Sequence, residues 1–312
     1  MTKYVVTGAA GFIGSHIAET LVRKGGEVVA VDNLFTGKKE NLKHLLKDLR
    51  FVKADIRDTD KMQRHMRGTD AVFHLAAIPS VPRSVAEPVI TNEVNVGGTL
   101  SVLKAALDAG VRRVVYSSSS SAYGDSPRLP KVETMKPEPL SPYAAQKLMG
   151  EYYARIFNDI YGLETVSLRY FNVFGPRQDP KSQYAAVVPK FITLLASSRP
   201  PVIFGNGKQS RDFTYIDNVV DANLLAAKAP KTNGKVVNIA CGERTTVNEL
   251  ARLIAKIMGK NIGPVYKPAR KGDVLHSLAG IALAKKTLGY KPAVSLEDGL
   301  KKTVEFFTRS SA

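Results

Sequence analysis

The chain has 312 residues, 44% of them hydrophobic, enough to bury one large core or two smaller ones. Its single cysteine, Cys241, excludes an intramolecular disulfide framework and suits a reducing, cytoplasmic setting. The formal net charge of +17 attracts anionic small molecules, but the basic residues are scattered in short pairs such as Lys38–Lys39 and Lys285–Lys286, without the basic arm or interleaved aromatics of a nucleic-acid surface.

In chain order, the first run is "KYVVTGAAGFIGSH", an apolar strand, three glycines and a helix that carries charges. It lacks the unbroken apolar region of a signal peptide, and no later stretch approaches the roughly eighteen apolar residues of a membrane span. Gly8, Gly11 and Gly14 sit between the strand and the helix Phe12–Lys24, the setting in which a glycine triplet reads as a dinucleotide-binding turn. Gly8 permits a tight turn, Gly11 lets backbone amides approach a pyrophosphate, and Gly14 frees space where helix meets sheet. The next strand, "EVVAVD", ends on Asp32. A carboxylate there can hold a ribose 2′-hydroxyl and repels a 2′-phosphate, which favours NAD over NADP.

"RFVKAD", "DAVFHLA", "RRVVYSS" and "ETVSLRYF" continue the strands, with helices expected over Thr91–Ala109 and Pro142–Tyr161. Near-continuous apolar strands alternating with helices imply a parallel sheet covered on both faces: an α/β fold with a Rossmann-type doubly wound sheet. Five serines, Ser117 to Ser121, follow one strand. In "SPYAAQK", Tyr143 and Lys147 stand one helical turn apart. The pair reads either as an ordinary i,i+4 surface couple or as an ammonium placed to lower a phenol pKa from its usual ~10.

Beyond residue 173, proline and glycine punctuation increases, and only "VVNIACG" and "TTVNELARLIAKIMGK" still read as strand and helix. The expected organisation is a dinucleotide-binding domain over 1–172 with a returning segment near 214–241. A smaller C-terminal α/β substrate domain then takes 173–213 and 242–312. The histidines, His16, His44, His65, His74 and His276, show no ligand spacing, so no metal is expected.

The GxxGxxG turn together with Tyr-xxx-Lys resembles the extended short-chain dehydrogenase/reductase family of nucleotide-sugar enzymes. The likeness runs nearly end to end, through "DNLFTGKKENL", "NVGGT", "SSSSSAYGD", "LRYFNVFGPRQDP", "SRDFTYIDNV" and "GDVLHSLA". Within that family "YGDSPRLPKVE", "YAAVVPKF" and their surroundings are most similar to UDP-sugar 4-epimerases, especially those acting on UDP-N-acetylglucosamine and its galacto epimer. The resemblance implies NAD held by Gly8, Gly11, Phe12, Ile13, Gly14, Asp32, Asn33, Thr36, Gly37, Asp55, Ile56, Leu75, Ala76, Ala77, Asn95, Ser117, Tyr143, Lys147, Tyr170 and Val173. It implies a UDP-sugar held by Pro79, Ser119, Ser120, Ser121, Tyr143, Asn172, Gln178, Ala186, Val188, Arg211, Phe213, Arg270, Asp273 and Ser277.

By the same resemblance Tyr143 is the acid/base, Lys147 its activator, and Ser119, four residues before Tyr123, the hydroxyl that shares the proton path. Tyr143 would take the 4-hydroxyl proton while C4 passes hydride to NAD⁺, and the 4-keto sugar would then turn over and be reduced on its other face. Binding energy should therefore rest on the UDP, away from the turning ring. Ser277 occupies the gate position that admits N-acetyl groups when small, although Pro79 replaces the glycine usual in N-acetyl-specific relatives.

Rival readings on the same scaffold differ at a few positions. A 4,6-dehydratase would carry carboxylates where Ser120 and Ser121 stand, and a UDP-glucuronate 4-epimerase or decarboxylase would need a carboxylate-binding cation, for which Arg83 is the candidate. A basic nucleotide- or RNA-binding relative without activity would not need Ser119, Tyr143 and Lys147. The family's usual homodimer would pair the helices from Thr91 and Pro142 with their copies. No nucleic acid and no membrane is expected as partner.

Overall fold

The computed structural model describes residues 1–180, 187–269 and 275–309. Seven parallel strands form one sheet in the order β11-β6-β5-β4-β1-β2-β3. They are β1 (Lys3–Thr7), β2 (Glu27–Asp32), β3 (Arg50–Lys53), β4 (Ala71–His74), β5 (Arg113–Ser119), β6 (Glu164–Tyr170) and, from far along the chain, β11 (Val236–Ile239). Every neighbouring pair is parallel. Strand order reverses beside β1, so a crevice opens at the carboxyl ends of β1 and β4.

Alternation along the strands loads both faces. Val6, Ala30, Phe73 and Val115 pack towards α1 (Phe12–Arg23) and α8 (Ile216–Lys228). Val5, Val29, Val72 and Val114 pack towards α2 (Thr59–Met66), α5 (Gly98–Asp108) and Phe157 of α6 (Pro142–Tyr161). The helix expected over 91–109 is interrupted: α3 (Val81–Ala86) and α4 (Pro88–Asn92) lead into a π-helical turn, Glu93–Gly97, before α5 begins. That turn brings Asn95 into the interior, where its Oδ1 accepts from Ile78 N at 2.7 Å and its Nδ2 donates to Gln146 Oε1 at 2.8 Å.

Helix α6 has the bounds its sequence announces. Ser141 Oγ accepts from Ala144 N at 3.2 Å, Pro142 takes the first helical position, and Gly162 ends the helix at φ 71°.

The later segments form short pairs rather than a second sheet of comparable size. β7 (Val173–Phe174) lies beside β10 (Thr214–Tyr215), β8 (Val202–Phe204) beside β13 (Val265–Lys267), and β9 (Ser210–Arg211) beside β12 (Thr245–Thr246). Helices α7 (Val187–Ala196), α9 (Val247–Ile257), α10 (Ala282–Leu288) and α11 (Leu296–Arg309) join the larger core on the α1/α8 side. No helix among the described residues is long and apolar enough to cross a membrane.

Candidate active site

A groove of about 960 Å³ runs over the carboxyl ends of the strands, from the glycine turn to Ser277. At its first end Gly8 adopts φ +68°, and a Cβ there would lie 2.7 Å from Ala76 N. A Cβ on Gly14 would lie 2.1 Å from the Gly8 carbonyl oxygen, so only glycine lets α1 start this close to the turn. No side chain caps α1 at Gly11, which leaves first-turn N–H groups facing the groove as an anion site.

Asp32 is drawn into the turn. Its carboxylate accepts from Ala10 N at 2.9 Å and Leu34 N at 2.7 Å, and burial raises its pKa against those two hydrogen bonds. The uncapped helix end, the two glycines and a strand-end carboxylate fit a dinucleotide with a free ribose hydroxyl.

At the other end three residues of α6 share one buried stripe. Tyr143, Lys147 and Glu151 follow at four-residue intervals. The Tyr143 amide is tied to α3 by donating to Ser84 Oγ at 2.9 Å. Its side chain lines the groove with Ser119. Burial pushes the Tyr143 phenol up to about 12, and the nearby Ser119 hydroxyl acts the other way. Lys147 Nζ donates to the Ser117 carbonyl at 2.8 Å, and burial pulls its pKa down to about 8 against the pull of Glu151. Desolvation thus dominates both groups, and the lowering of the phenol by the ammonium expected from spacing alone does not emerge from the protein's own charges.

The serine run separates into distinct roles. Ser118 turns away and donates to Glu151, which also receives Arg169 through bonds of 2.7 and 2.6 Å. Ser121 Oγ hydrogen-bonds Ser119 Oγ at 2.8 Å, and Ser119, Ser120 and Ser121 all line the groove. Near its mouth, Asn172 Nδ2 donates to the Asp212 carbonyl at 3.0 Å and approaches Ser277 Oγ at 3.5 Å. Buried Asp212 accepts from Cys241 N, Gly242 N and Ala279 N at 3.0, 3.0 and 3.2 Å. Burial raises its pKa to about 6 despite those bonds.

Of the residues singled out from sequence, Gly8, Gly11, Phe12, Ile13, Gly14, Asp32, Asn33, Thr36, Ile56, Leu75, Ala76, Ala77, Ser117, Tyr170 and Val173 line the groove towards the glycine turn. Pro79, Ser119 to Ser121, Tyr143, Lys147, Asn172, Gln178, Arg211 and Ser277 line it too. Five lie behind its wall. Gly37 packs under the Asp32 carboxylate, where a Cβ would sit 2.8 Å from either oxygen. Asp55 is bound by Arg57 and Asn33, which hold its pKa down to about 2. Asn95 braces Ile78, and Val188 and Phe213 belong to the core. Ala186, Arg270 and Asp273 fall outside the described residues.

Arg83 stacks on Phe35 at 4.5 Å and bonds Glu87 at 2.8 Å. Phe35, Arg57, Lys131 and His276 line the groove without having been singled out.

The doubly wound sheet, glycine turn and Tyr143–Lys147 stripe define a dinucleotide-dependent enzyme of the short-chain dehydrogenase/reductase type. The sequence profile of the NAD dependent epimerase/dehydratase family matches residues 4–240, and the chain belongs to that family, an isomerase that uses NAD. Among solved structures, the UDP-N-acetylglucosamine 4-epimerase of Methanobrevibacter ruminantium M1 in complex with UDP-N-acetylmuramic acid is 42% identical with TM-score 0.95, covering 99% of both chains. The UDP-glucose 4-epimerase of Thermotoga maritima with UDP-glucose is 42% identical with TM-score 0.94, covering 100% of both. A curated UDP-glucose 4-epimerase of Mycolicibacterium smegmatis is 42% identical over 314 residues, 99% of each chain.

Proposed function

We propose that this NAD-dependent enzyme interconverts the 4-epimers of a UDP-hexose, UDP-N-acetylglucosamine and UDP-N-acetylgalactosamine foremost, with UDP-glucose and UDP-galactose as further substrates. The observation that carries the reading is that Tyr143, Lys147 one helical turn on, and Ser119 all stand on the wall of one groove that begins at the glycine turn. Bound NAD would supply the redox couple for C4 of the sugar and, when oxidised, a positive charge.

The chain's own residues handle the proton. Tyr143 accepts it from the 4-hydroxyl and returns it after the ring has turned, while Ser119, bridged to Ser121, keeps the reacting oxygen in hydrogen-bond reach. Lys147, anchored on Ser117, adds its positive charge to that of the oxidised cofactor, and the two together would stabilise a phenolate that burial alone disfavours. Arg211 and Asn172 orient the diphosphate, and Ser277, short at the mouth, leaves width for an N-acetyl group. Residues 1–172 with 214–241 serve the dinucleotide, and 173–213 with 242–312 serve the UDP-sugar.

We also assign a homodimer. Val89 and Ile90 of α4, Leu100 of α5, and Met149, Tyr152, Ile156 and Ile160 of α6 are exposed apolar side chains on neighbouring helices, suited to a second copy of this chain. Light scattering decides it, since a single-chain mass contradicts the assignment.

The activity test is incubation of the purified chain with NAD and UDP-N-acetylglucosamine, with chromatography for UDP-N-acetylgalactosamine. Conversion is expected, and no conversion of either that substrate or UDP-glucose overturns the reading.

A further inference from the structure

Glu151 and Arg169 form an ion pair almost wholly shut off from water, with side-chain exposures of 2% and 3%. Arg169 Nε donates to Glu151 Oε1 at 2.7 Å and its Nη2 donates to Oε2 at 2.6 Å, a two-pronged fork. Taking two charges out of water is expensive, and apolar side chains of the same shape often serve stability as well or better. Stability alone is therefore a poor account of the pair, and its surroundings supply another.

The pair is tied to a row that runs across the sheet. Ser118 of β5, Arg169 of β6 and Asn238 of β11 stand at one register. Ser118 Oγ donates to Glu151. The Arg169 guanidinium lies 4.5 Å from the centre of the Tyr123 ring, and the Tyr123 hydroxyl donates to Asn238 Oδ1 at 2.7 Å. Buried Arg169 Nη1 has no hydrogen-bond partner among the described residues, so the guanidinium is oriented by Glu151 on one side and the Tyr123 ring on the other.

Ser118 and Tyr123 bracket the segment in which Ser119, Ser120 and Ser121 line the groove. One helical turn before Glu151, Lys147 holds the Ser117 carbonyl. Two successive turns of α6 thus grip successive residues of β5 just ahead of Ser119. The ion pair carries that grip on through Arg169 to Tyr123, just past the serine run.

Resting on the epimerase reading above, we propose that Glu151 and Arg169 are positioning residues for the reaction, a clamp on both ends of the serine segment that holds Ser119, with Ser121 bridged to it, against Tyr143. Neither side chain lines the groove, so the clamp acts only by setting where the Ser119 hydroxyl stands. A displacement of about 1 Å there is enough to cost roughly 100-fold in rate.

The test measures kcat and KM for UDP-N-acetylglucosamine, with NAD titrated separately, on the full chain and its variants. Glu151→Gln keeps the shape and removes the charge. Its kcat is expected to fall about 10- to 100-fold while KM and NAD affinity change by less than about twofold. Tyr123→Leu should lower kcat in the same way, and Tyr123→Phe, which keeps a ring for Arg169, should not. Combined with Ser119→Ala, Glu151→Gln should add less than about threefold to the loss that Ser119→Ala causes alone, because the clamp works through that hydroxyl.

Full multiplication of the two losses would mean that Glu151 supports the fold at large, and it overturns the inference. An unchanged kcat in Glu151→Gln, or a rise in KM that matches the fall in kcat, overturns it too. Should Glu151→Gln not fold, the Tyr123 variants decide, and equal kcat in Tyr123→Leu and Tyr123→Phe is the contrary result. Each of these leaves the epimerase reading intact, whereas absence of turnover in the wild type overturns both.

Discussion

The two ends of the groove are each organised by a buried aspartate, and they are built in opposite ways. Asp32 gathers backbone N–H groups from Ala10 and Leu34, all within the first strand–helix–strand unit. Asp212 gathers Cys241, Gly242 and Ala279, while its own carbonyl receives Asn172. The dinucleotide end is therefore a local structure that forms with the first supersecondary unit. The sugar end exists only after segments some 30 to 70 residues apart have docked. One consequence is functional: a firmly held cofactor beside a pocket whose shape can vary without disturbing it.

The sharpest way to break this comparison is at the point where the ends meet. Tyr143→Phe removes the group that works across both, and kcat should fall by about 10³-fold while UDP binding survives. A near-normal rate would mean another residue moves the proton.

Asp212→Ala should separate the two ends. It orphans three backbone N–H groups, at a cost of roughly 3 kcal/mol or more. UDP-sugar KM is expected to rise steeply while NAD titration remains close to wild type, and a parallel loss of both would show that the ends are not independent. Ser277→Tyr should sharpen the account of the mouth, lowering kcat/KM for N-acetylated substrates about 10- to 100-fold relative to plain hexoses. An unchanged ratio would remove Ser277 from the gate.

The smallest effect concerns the floor of the dinucleotide end. His74 is buried with Thr7 Oγ1 at 2.8 Å on one nitrogen and Thr99 Oγ1 at 3.0 Å on the other. Burial, helped by Lys147, lowers its pKa from 6.5 to about 3. The ring is neutral in the fold and gains a proton more readily when unfolded. Its contribution is therefore fully present above about pH 6.5 and is lost as pH falls towards 3, with a limiting slope of about 1.4 kcal/mol per pH unit inside that window. Urea melts at pH 7.5 and 5 should show the loss, and His74→Asn should flatten it.

The difference between the ends also explains what could be read from the sequence. The strands at 3–7, 27–32 and 164–170 carried their own apolar runs and turn residues, and α6 carried Ser141, Pro142 and Gly162 as its start and stop. The glycine turn was legible because its chemistry is local. The interruption at Glu93–Gly97 was not, since the apolar period runs through it and only the buried Asn95–Gln146 bond makes it visible.

Asp212 and Lys131 escaped attention for a different reason. Their partners lie at Ala279, Leu278 and Gly280, and no spacing in a single chain encodes such distant contacts. Spacing shows that Lys147 stands one turn from Tyr143 but says nothing of desolvation, which is the largest influence on the phenol.

The central claim is that C4 of a UDP-hexose is oxidised and reduced within a single closed site. The direct measurement is turnover of UDP-N-acetylglucosamine carrying deuterium at C4, in ordinary water, with mass analysis of the product. Retention of the deuterium at C4 of UDP-N-acetylgalactosamine is the predicted result. Loss of the label to solvent during epimerisation would contradict the account.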